Sequence, residues 1–505
     1  MKKIVFILIL GIAFPKLIAQ NVEDALRFAK TNQTGTARFS AMAGAFGALG
    51  GDFSSINSNP AGSAVFINGQ SAITVSNANL RNKSNYFNTQ TTENYASFDV
   101  NQAGAVWIFE DYNNKNNWKK IAVALNYENQ NNFNDATFVA GRNQNNSVSN
   151  YFTSFANQNG GIQLSSLKNG FYDDLNFEDQ QAFLGYQGYI INPVADVPNN
   201  TSYVANTQAG GVFDQQNSQL QTGYNGKLTF NIATQYKDFL YVGMNLNSHF
   251  ADFRNTSSFF ENNAGSINSG IKSIRFDNEI YTYGSGFSFQ LGTIIKLDKG
   301  FRIGLSFESP TWLRLNDEVT QNLVTSGFGF GSPANPNLSS AQPDSNVIKV
   351  YKSYSLQTPS KFNASFAYVI AKKGILSFDY GLKDYSSTKI GLQNDSRNLN
   401  VNQQLSNSLR AASEFRVGAE YKVKQLSLRG GYRFEESPFK DKVTIGDMTT
   451  YSAGLGYNFG DTKIDLSYSF SRRNQQLSFF SQGFTDFANI NARNNTIALT
   501  LLFEM

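Results

Sequence analysis

The sequence predicts an all-β protein, a transmembrane antiparallel β-barrel of about fourteen strands with an N-terminal hatch in its lumen. Three observations predict it. From about residue 355 to Phe503 the chain runs in roughly ten-residue segments in which every second residue is apolar or aromatic. Phe362, Ala364, Phe366, Tyr368 and Ile370 share one parity, against Lys361, Asn363, Ser365 and Ala367 on the other. Ile464, Leu466, Tyr468 and Phe470 alternate in the same way with Asp465, Ser467, Ser469 and Ser471. Successive strand side chains point to opposite faces, so each segment has one face for lipid and one for water. The second observation is that short and long connections alternate, as periplasmic turns and extracellular loops do. The third is the last strand, where Ile497, Leu499, Leu501 and Phe503 share a parity, with Glu504 and Met505 following the aromatic that usually ends such a strand.

Residues 1–19 read as a signal peptide: Lys2 and Lys3, an apolar run from Ile4 to Phe14, and a cut after Ala19 that leaves Gln20 first. The competing reading, a signal anchor, needs about 20 apolar residues; Pro15 and Lys16 break the run well before that. Residues 20–64 form the hatch. A short helix is expected from Val22 to about Lys30, followed by a Gly- and Ala-rich stretch from Gly35 to Gly62 that does not read as strand. Residues 65–505 form the barrel with its long extracellular loops. Its strands are expected near 69–81, 98–111, 119–133, 218–236, 239–254, 278–296, 300–315, 350–371, 374–389, 411–424, 425–436, 447–459, 462–475 and 493–503. An even number returns both ends to one side of the membrane. Short turns fall at Lys237-Asp238, Asp298-Lys299-Gly300, Lys372-Lys373 and Gly460-Asp461, and long loops at about 134–217, 255–277, 316–349, 390–410 and 476–492.

Composition agrees with a barrel. No stretch after the signal approaches 18 uninterrupted apolar residues, which excludes helical spans, while the mean hydropathy of -0.35 is compatible with strands that are polar on one face. The 44 Phe and 24 Tyr, against three Trp, supply a lipid face and interfacial girdles, and the absence of Cys means no disulfides. Of the 42 basic residues, Lys2, Lys3 and Lys16 leave with the signal, so the mature chain carries about +1 against 38 acidic residues. No clustered basic face suits nucleic acid.

At the N-terminal element, Gly35-Thr-Ala-Arg38-Phe39-Ser-Ala-Met42-Ala-Gly44-Ala-Phe46-Gly47-Ala-Leu-Gly50-Gly51-Asp52 leads into Asn57-Ser-Asn59-Pro60-Ala61-Gly62. This resembles the hatch of the FadL family of outer-membrane transporters for long-chain fatty acids and other hydrophobic compounds, which carries an Asn-Pro-Ala sequence. Gly286 to Gly292, followed by Phe301 to Pro310, is similar to the family's paired central strands. Phe415 to Tyr421, Leu428 to Tyr432 and Glu436-Ser437-Pro438 are similar to its penultimate region, and Tyr451 to Tyr457 to the strand that comes next. The resemblance runs in order over the mature chain. It implies a plugged barrel that captures a ligand at an extracellular groove, passes it to an interior pocket and releases it when the hatch shifts. It also implies a lateral exit at a kink in the third strand. Here Ile121, Val123, Leu125 and Tyr127 run without Gly or Pro, so the sequence does not locate a kink.

From this reading Asn59, Pro60 and Ala61 are the hatch gate. Capture is assigned to the long loop through Phe171, Phe177, Phe183, Leu184, Tyr189 and Ile190. Arg302, Arg416 and Arg429, with Lys361 and Arg433, lie on the inward parity, and guanidinium groups suit a ligand carboxylate. The alternative is that Glu308, Glu420 and Glu435, on the same parity, pair with them as a structural network.

Catalysis is not expected. His249 is the single histidine, and no Ser or Cys nucleophile can be tied to it from the sequence. Haem capture through His249 is a rival binding function, as an axial ligand. Gly327-Phe-Gly329-Phe-Gly331, before Pro333, lacks the context of a phosphate cradle, and Ser269-Gly-Ile-Lys272 lacks its partner motifs. Asp173-Asp174 reads as a solvated pair. No cofactor or metal site is expected. The reading is therefore passive uptake of long-chain fatty acids or other hydrophobic small molecules by a monomer in the bacterial outer membrane, among its lipid and lipopolysaccharide. The alternative is a non-transporting structural or adhesive barrel, or a haem receptor.

Overall fold

Alternation over the C-terminal half becomes a closed antiparallel barrel. The computed structural model describes residues 22–111, 116–207, 210–297, 300–330, 339–345, 347–371, 373–391 and 398–505. The signal peptide, the turn residues Asp298, Lys299 and Lys372, and Gly331 and Pro333 lie outside the described residues. The barrel has fourteen strands. The first five are β1 Gln70–Tyr86, β2 Thr89–Glu110, β3 in two pieces (Trp118–Asn132 and Asp135–Asn143), β4 Phe213–Tyr236 and β5 Leu240–Asn263. Next come β6 Gly270–Lys296, β7 (Phe301–Glu308 and Trp312–Phe328), β8 (Tyr354–Gln357 and Lys361–Ile370) and β9 Gly374–Asp384. The last five are β10 Ala411–Val423, β11 Leu426–Glu435, β12 Ile445–Asn458, β13 Thr462–Ser478 and β14 Phe487–Glu504. Neighbours in sequence pair throughout, and β14 closes on β1 from Gln70↔Glu504 to Asn85↔Asn489.

The expected parity holds. Phe362, Phe366, Leu376, Phe378, Leu466 and Leu499 face outward and are exposed. At the short-turn rim Trp118 stands against Tyr236 (5.0 Å), Phe301 on Tyr368 (4.4 Å) and Tyr457 against Phe459 (4.6 Å), which gives that interface an aromatic girdle. Pro310 and Pro359 lie where β7 and β8 each break in two, since proline cannot donate to a ladder.

The long loops need correcting. Residues 255–263 and 270–277 continue β5 and β6 as one hairpin, β7 runs to Phe328, and β13 and β14 together take most of 476–492. These extensions carry Asn, Ser, Thr and Gln on both parities because both faces meet water or a polar chamber above the membrane, so the alternation that marks a spanning strand is missing. The 390–410 segment holds a helix, Asn398–Ser408.

The N-terminal residues lie inside the barrel as α1 Val22–Ala29, α2 Ala37–Ala41, α3 Ser55–Ser58 and a 3-10 turn Pro60–Val65. Thr36 caps α2 by accepting from Phe39 N, and Asn59 caps the 3-10 turn, whose first residue is Pro60. Phe53, Ile56, Ala61, Ala64 and Phe66 pack on Ala72, Val106, Ala122, Ala124, Ala233 and Ile294 of the wall. Four of these wall residues are alanines, which leaves the hatch room.

Above the mouth, α4 Ser149–Asn157, α5 Leu164–Asn169, α6 Phe177–Gln187 and the hairpin Ile191–Pro193/Tyr203–Ala205 build a cap. Its core joins Tyr151, Phe152, Phe155 and Leu184 to Phe259, Phe276 and Leu323 from the extended strands and to Phe484 from the β13–β14 connection. Gly185 permits the α4–α6 crossing, since a β-carbon there would lie 2.7 Å from that of Phe152.

Candidate functional site

Two glycine pairs in the wall seat the hatch, among many hydrogen bonds between the two. Asn59, 1% exposed, donates from Nδ2 to the carbonyls of Gly47 (2.7 Å) and Thr293 (2.9 Å), while its Oδ1 accepts from Ala61 N (3.2 Å). Pro60 O accepts from Asn231 Nδ2 at 2.9 Å. The wall accepts this turn because Gly243 and Gly292, paired across β5 and β6, have no side chains: a β-carbon on them would fall 2.5 Å from Pro60 O and 2.1 Å from Asn59 Oδ1. On the far side Met42–Ala43 leans on the paired Gly418 and Gly431 in the same way. Arg38 adds a bidentate bond to Glu420 (2.8 and 3.2 Å), and Asp52 accepts from Thr36 Oγ1 and Ser54 N. Burial pushes the Asp52 carboxyl above its usual range, with Arg38 pulling it back.

The three candidate arginines point inward, and two of them have carboxylate partners. Arg416 binds Glu414 through both nitrogens (2.8 and 2.6 Å), and Arg429 bridges Glu420 (2.7 Å) and Asp465 (2.5 Å). Glu414 also takes Lys361 (3.0 Å) and Arg433 (2.5 Å), and Arg433 reaches Glu435 (2.8 Å). Arg302 donates to Leu49 O of the hatch at 2.8 Å. The network therefore braces the wall from β8 to β13 and ties it to the hatch.

Two of the interior cavities are adjacent to the hatch. An outer chamber of about 490 Å³ sits under the cap, lined by Tyr151, Phe177, Phe276, Phe479 and Phe480, by many amides, and by Arg27 and Arg473, the latter paired with Glu435 at 3.0 Å. A smaller cavity of about 90 Å³ lies deeper, lined by Lys227, His249, Glu128, Glu308, Lys361 and Lys383 among others. Thr31, Asn32 and Gln33, just after α1, line both and so form the partition between them. Glu128, Lys227 and His249 stand side by side on β3, β4 and β5. Sequence reasoning missed this row. Its signal was available, because charged residues within a spanning strand are costly unless they serve a lumen.

His249 is mid-strand, since β5 runs on to Asn263, and its Nε2 lies 2.8 Å from Ser288 Oγ. The structure thus supplies the serine that the sequence could not. Ser288 is fully buried in the wall, takes a further bond from Asn247 Nδ2 at 3.0 Å, and has no access to the cavity.

The third strand is broken after all. Its register shifts between Asn129 and Asn131, the strand stops at Asn132, and it resumes at Asp135. Its ladder with β2 ends at Gln102↔Glu128, so the outer half of β2 pairs with β1 alone. Side chains span the seam instead: Asn132 Nδ2 reaches Ser97 Oγ (3.0 Å) and Asp99, and Thr91 Oγ1 reaches Phe138 O (2.6 Å). Asn131 to Asp135 also line the outer chamber, which places the seam at its edge. A bulge needs neither Gly nor Pro, which is why the sequence gave no sign of it.

The loop candidates separate. Phe183, Leu184 and Ile190 are buried in the cap's own core, Tyr189 stacks on Phe330 (4.8 Å), and Phe171 is 74% exposed. Of the six, Phe177 alone borders the chamber.

Solved barrels share this architecture. A FadL homologue from Pseudomonas aeruginosa matches at 12% identity over 94% of this chain and 99% of its own, with a TM-score of 0.53. The P. putida toluene transporter TodX matches at 12% identity, again over 94% and 99%, with a TM-score of 0.51. At that identity the likeness is one of fold. No curated protein sequence matches the chain. The profile of the family described as outer membrane protein transport protein (OMPP1/FadL/TodX) matches residues 192–496, more than half of the 505. This chain therefore belongs to the OMPP1/FadL/TodX family of outer-membrane transport proteins, channels for hydrophobic compounds.

Proposed function

We propose that this barrel admits long-chain fatty acids, or other hydrophobic small molecules, passively and as a monomer. The observation that carries the reading is the outer chamber. At about 490 Å³ it lies within the roughly 300–1,000 Å³ of small-molecule pockets, with aromatic rings for a chain and amides for a head group. Directly beneath the Thr31–Gln33 partition, the inner cavity offers Lys227 and Lys383. In this reading Phe171 and Phe177 meet the ligand first. The hatch is the gate, held at Asn59-Pro60-Ala61, and the partition is its moving part. The β2–β3 seam is the lateral exit. Arg302, Arg416 and Arg429 keep the lumen polar and braced, and catalysis plays no part.

The rival, a non-transporting barrel, draws support from the paired charges of β8 to β13. Native mass spectrometry of detergent-purified protein, titrated with a long-chain fatty acid and with toluene, separates the two. Saturable fatty-acid binding that weakens in Lys227→Met is the expected result. A folded, heat-modifiable barrel that binds neither compound would overturn the transport reading, and binding of toluene alone would replace the substrate class.

A further inference from the structure

Three arginines stand in one row on the outside of the barrel. Arg472 of β13 lies directly opposite Arg493 of β14, which lies directly opposite Arg81 of β1. All three belong to the outward parity and are exposed. Adjacent strands are about 4.8 Å apart, so the row spans roughly 10 Å. Like charges directly opposite each other destabilise a ladder. Among the described residues none of the three makes an ion pair; Arg493 Nε donates to Asn491 Oδ1 at 3.0 Å. Asp447 of β12, two residues from the partner of Arg472, accepts from Ser437 N at 2.7 Å, and Glu93 of β2, next to the partner of Arg81, lies on the opposite parity.

The height of the row is informative. Directly below it the outward positions are Asn79 and Asn77 on β1, Asn495 on β14 and Phe470 on β13, and further down they are apolar: Val75 and Ile73, Ile497 and Leu499, and Tyr468. Above it they are amides, and there the outer face is concave. A pocket of about 410 Å³ is lined by Lys83, Lys442, Asn474, Gln476, Asn489 and Asn491, among others. Arg493 and Asn491 are two residues apart, about 7 Å along the strand, so the arginines form the pocket's lower lip at the boundary between hydrocarbon and head groups. This is the long-loop end of the barrel, which faces the cell exterior.

We propose that this face of β13, β14 and β1 binds the head group of a phosphorylated glycolipid of the outer leaflet. The arginines take its phosphate and the amides its sugar hydroxyls, while the acyl chains lie along Ile497, Leu499, Val75 and Tyr468. Guanidinium groups match phosphate bidentately. The unpaired row is then the empty half of an ionic contact that the membrane completes. The three arginines lie on the outward parity, while Arg472 and Arg493 are also among the residues that border the outer chamber.

The test uses detergent-purified full-length protein, native mass spectrometry and three probes: a bisphosphorylated glucosamine-disaccharide lipid, the same lipid without its phosphates, and inorganic phosphate. The wild type is expected to retain the phosphorylated lipid, with at least tenfold weaker binding of the dephosphorylated one and of inorganic phosphate. The variant Arg81→Gln/Arg472→Gln/Arg493→Gln is expected to lose at least tenfold, while Arg254→Gln/Arg275→Gln, elsewhere on the extracellular surface, binds as the wild type does. Equal retention of the lipid with and without phosphates overturns the proposal, as does inorganic phosphate binding as tightly as the lipid. Should the triple variant fail to become heat-modifiable, the wild-type comparison of the two lipids still decides.

Discussion

Asn59 and Gly292 share one space: the carboxamide of Asn59 fills the volume that a β-carbon on Gly292 would take, 2.1 Å from its Oδ1. The same amide holds Gly47 O of the hatch and Thr293 O of the wall. A missing side chain in a strand is thus what seats the hatch.

Gly292→Val is expected to unseat this turn without preventing barrel closure, because overpacking costs about 1–3 kcal/mol and acts on the hatch. Hydrogen exchange should rise over residues 36–66 while the barrel stays heat-modifiable. Unchanged protection of the hatch would show that the contact does not set its position.

Asn59→Ala removes a side-chain donor from Gly47 O and from Thr293 O, and a buried polar group left unsatisfied costs about 1–3 kcal/mol. A lower unfolding temperature and reduced uptake of a fluorescent fatty acid are the expected outcome. Normal uptake at normal surface level would remove the gate assignment from Asn59-Pro60-Ala61.

Glu414 takes three cations, Lys361, Arg416 and Arg433. Glu414→Gln leaves Lys361 and Arg416 without this carboxylate and Arg433 with Glu435 alone, and breaking a buried pair costs about 3–5 kcal/mol. The midpoint of heat-induced mobility change on gels should fall by more than it does for Arg302→Gln, which loses one bond to a carbonyl. Equal shifts would mean that the network is not bracing the wall.

The chain has no cysteine, so the β2–β3 seam can be tied with a clean pair, Ser97→Cys and Asn132→Cys, joined by a short bifunctional thiol crosslinker. Uptake is expected to drop severalfold on crosslinking and to return when a cleavable linker is cut. Uptake that ignores the crosslink sends the exit elsewhere.

Much of the barrel was legible because lipid enforces a strict period of two wherever a strand crosses it. Residues such as Phe366 and Leu466 could hardly face elsewhere. Above the membrane that constraint lapses, and the same strands ran on unnoticed through Asn-, Ser- and Thr-rich segments to Asn263 and Phe328. The site was less legible. Phe183, Leu184 and Ile190 were apolar for the sake of a cap core, and an apolar residue in a loop does not declare what it packs against. The break in β3 followed from a bulge at ordinary residues, without a Gly or Pro to announce it.

By itself the sequence determined the fold class, the strand order and which face of each spanning strand meets lipid, because these follow from local periodicity and the cost of burying an unpaired backbone in hydrocarbon. Tertiary structure alone decided which inward charges neutralise one another, where the hatch seats, and how Thr31–Gln33 divides the interior. It also decided that Arg81, Arg472 and Arg493, far apart in the chain, stand in one row. Such relations depend on register between strands, and register is set only when the sheet closes on itself.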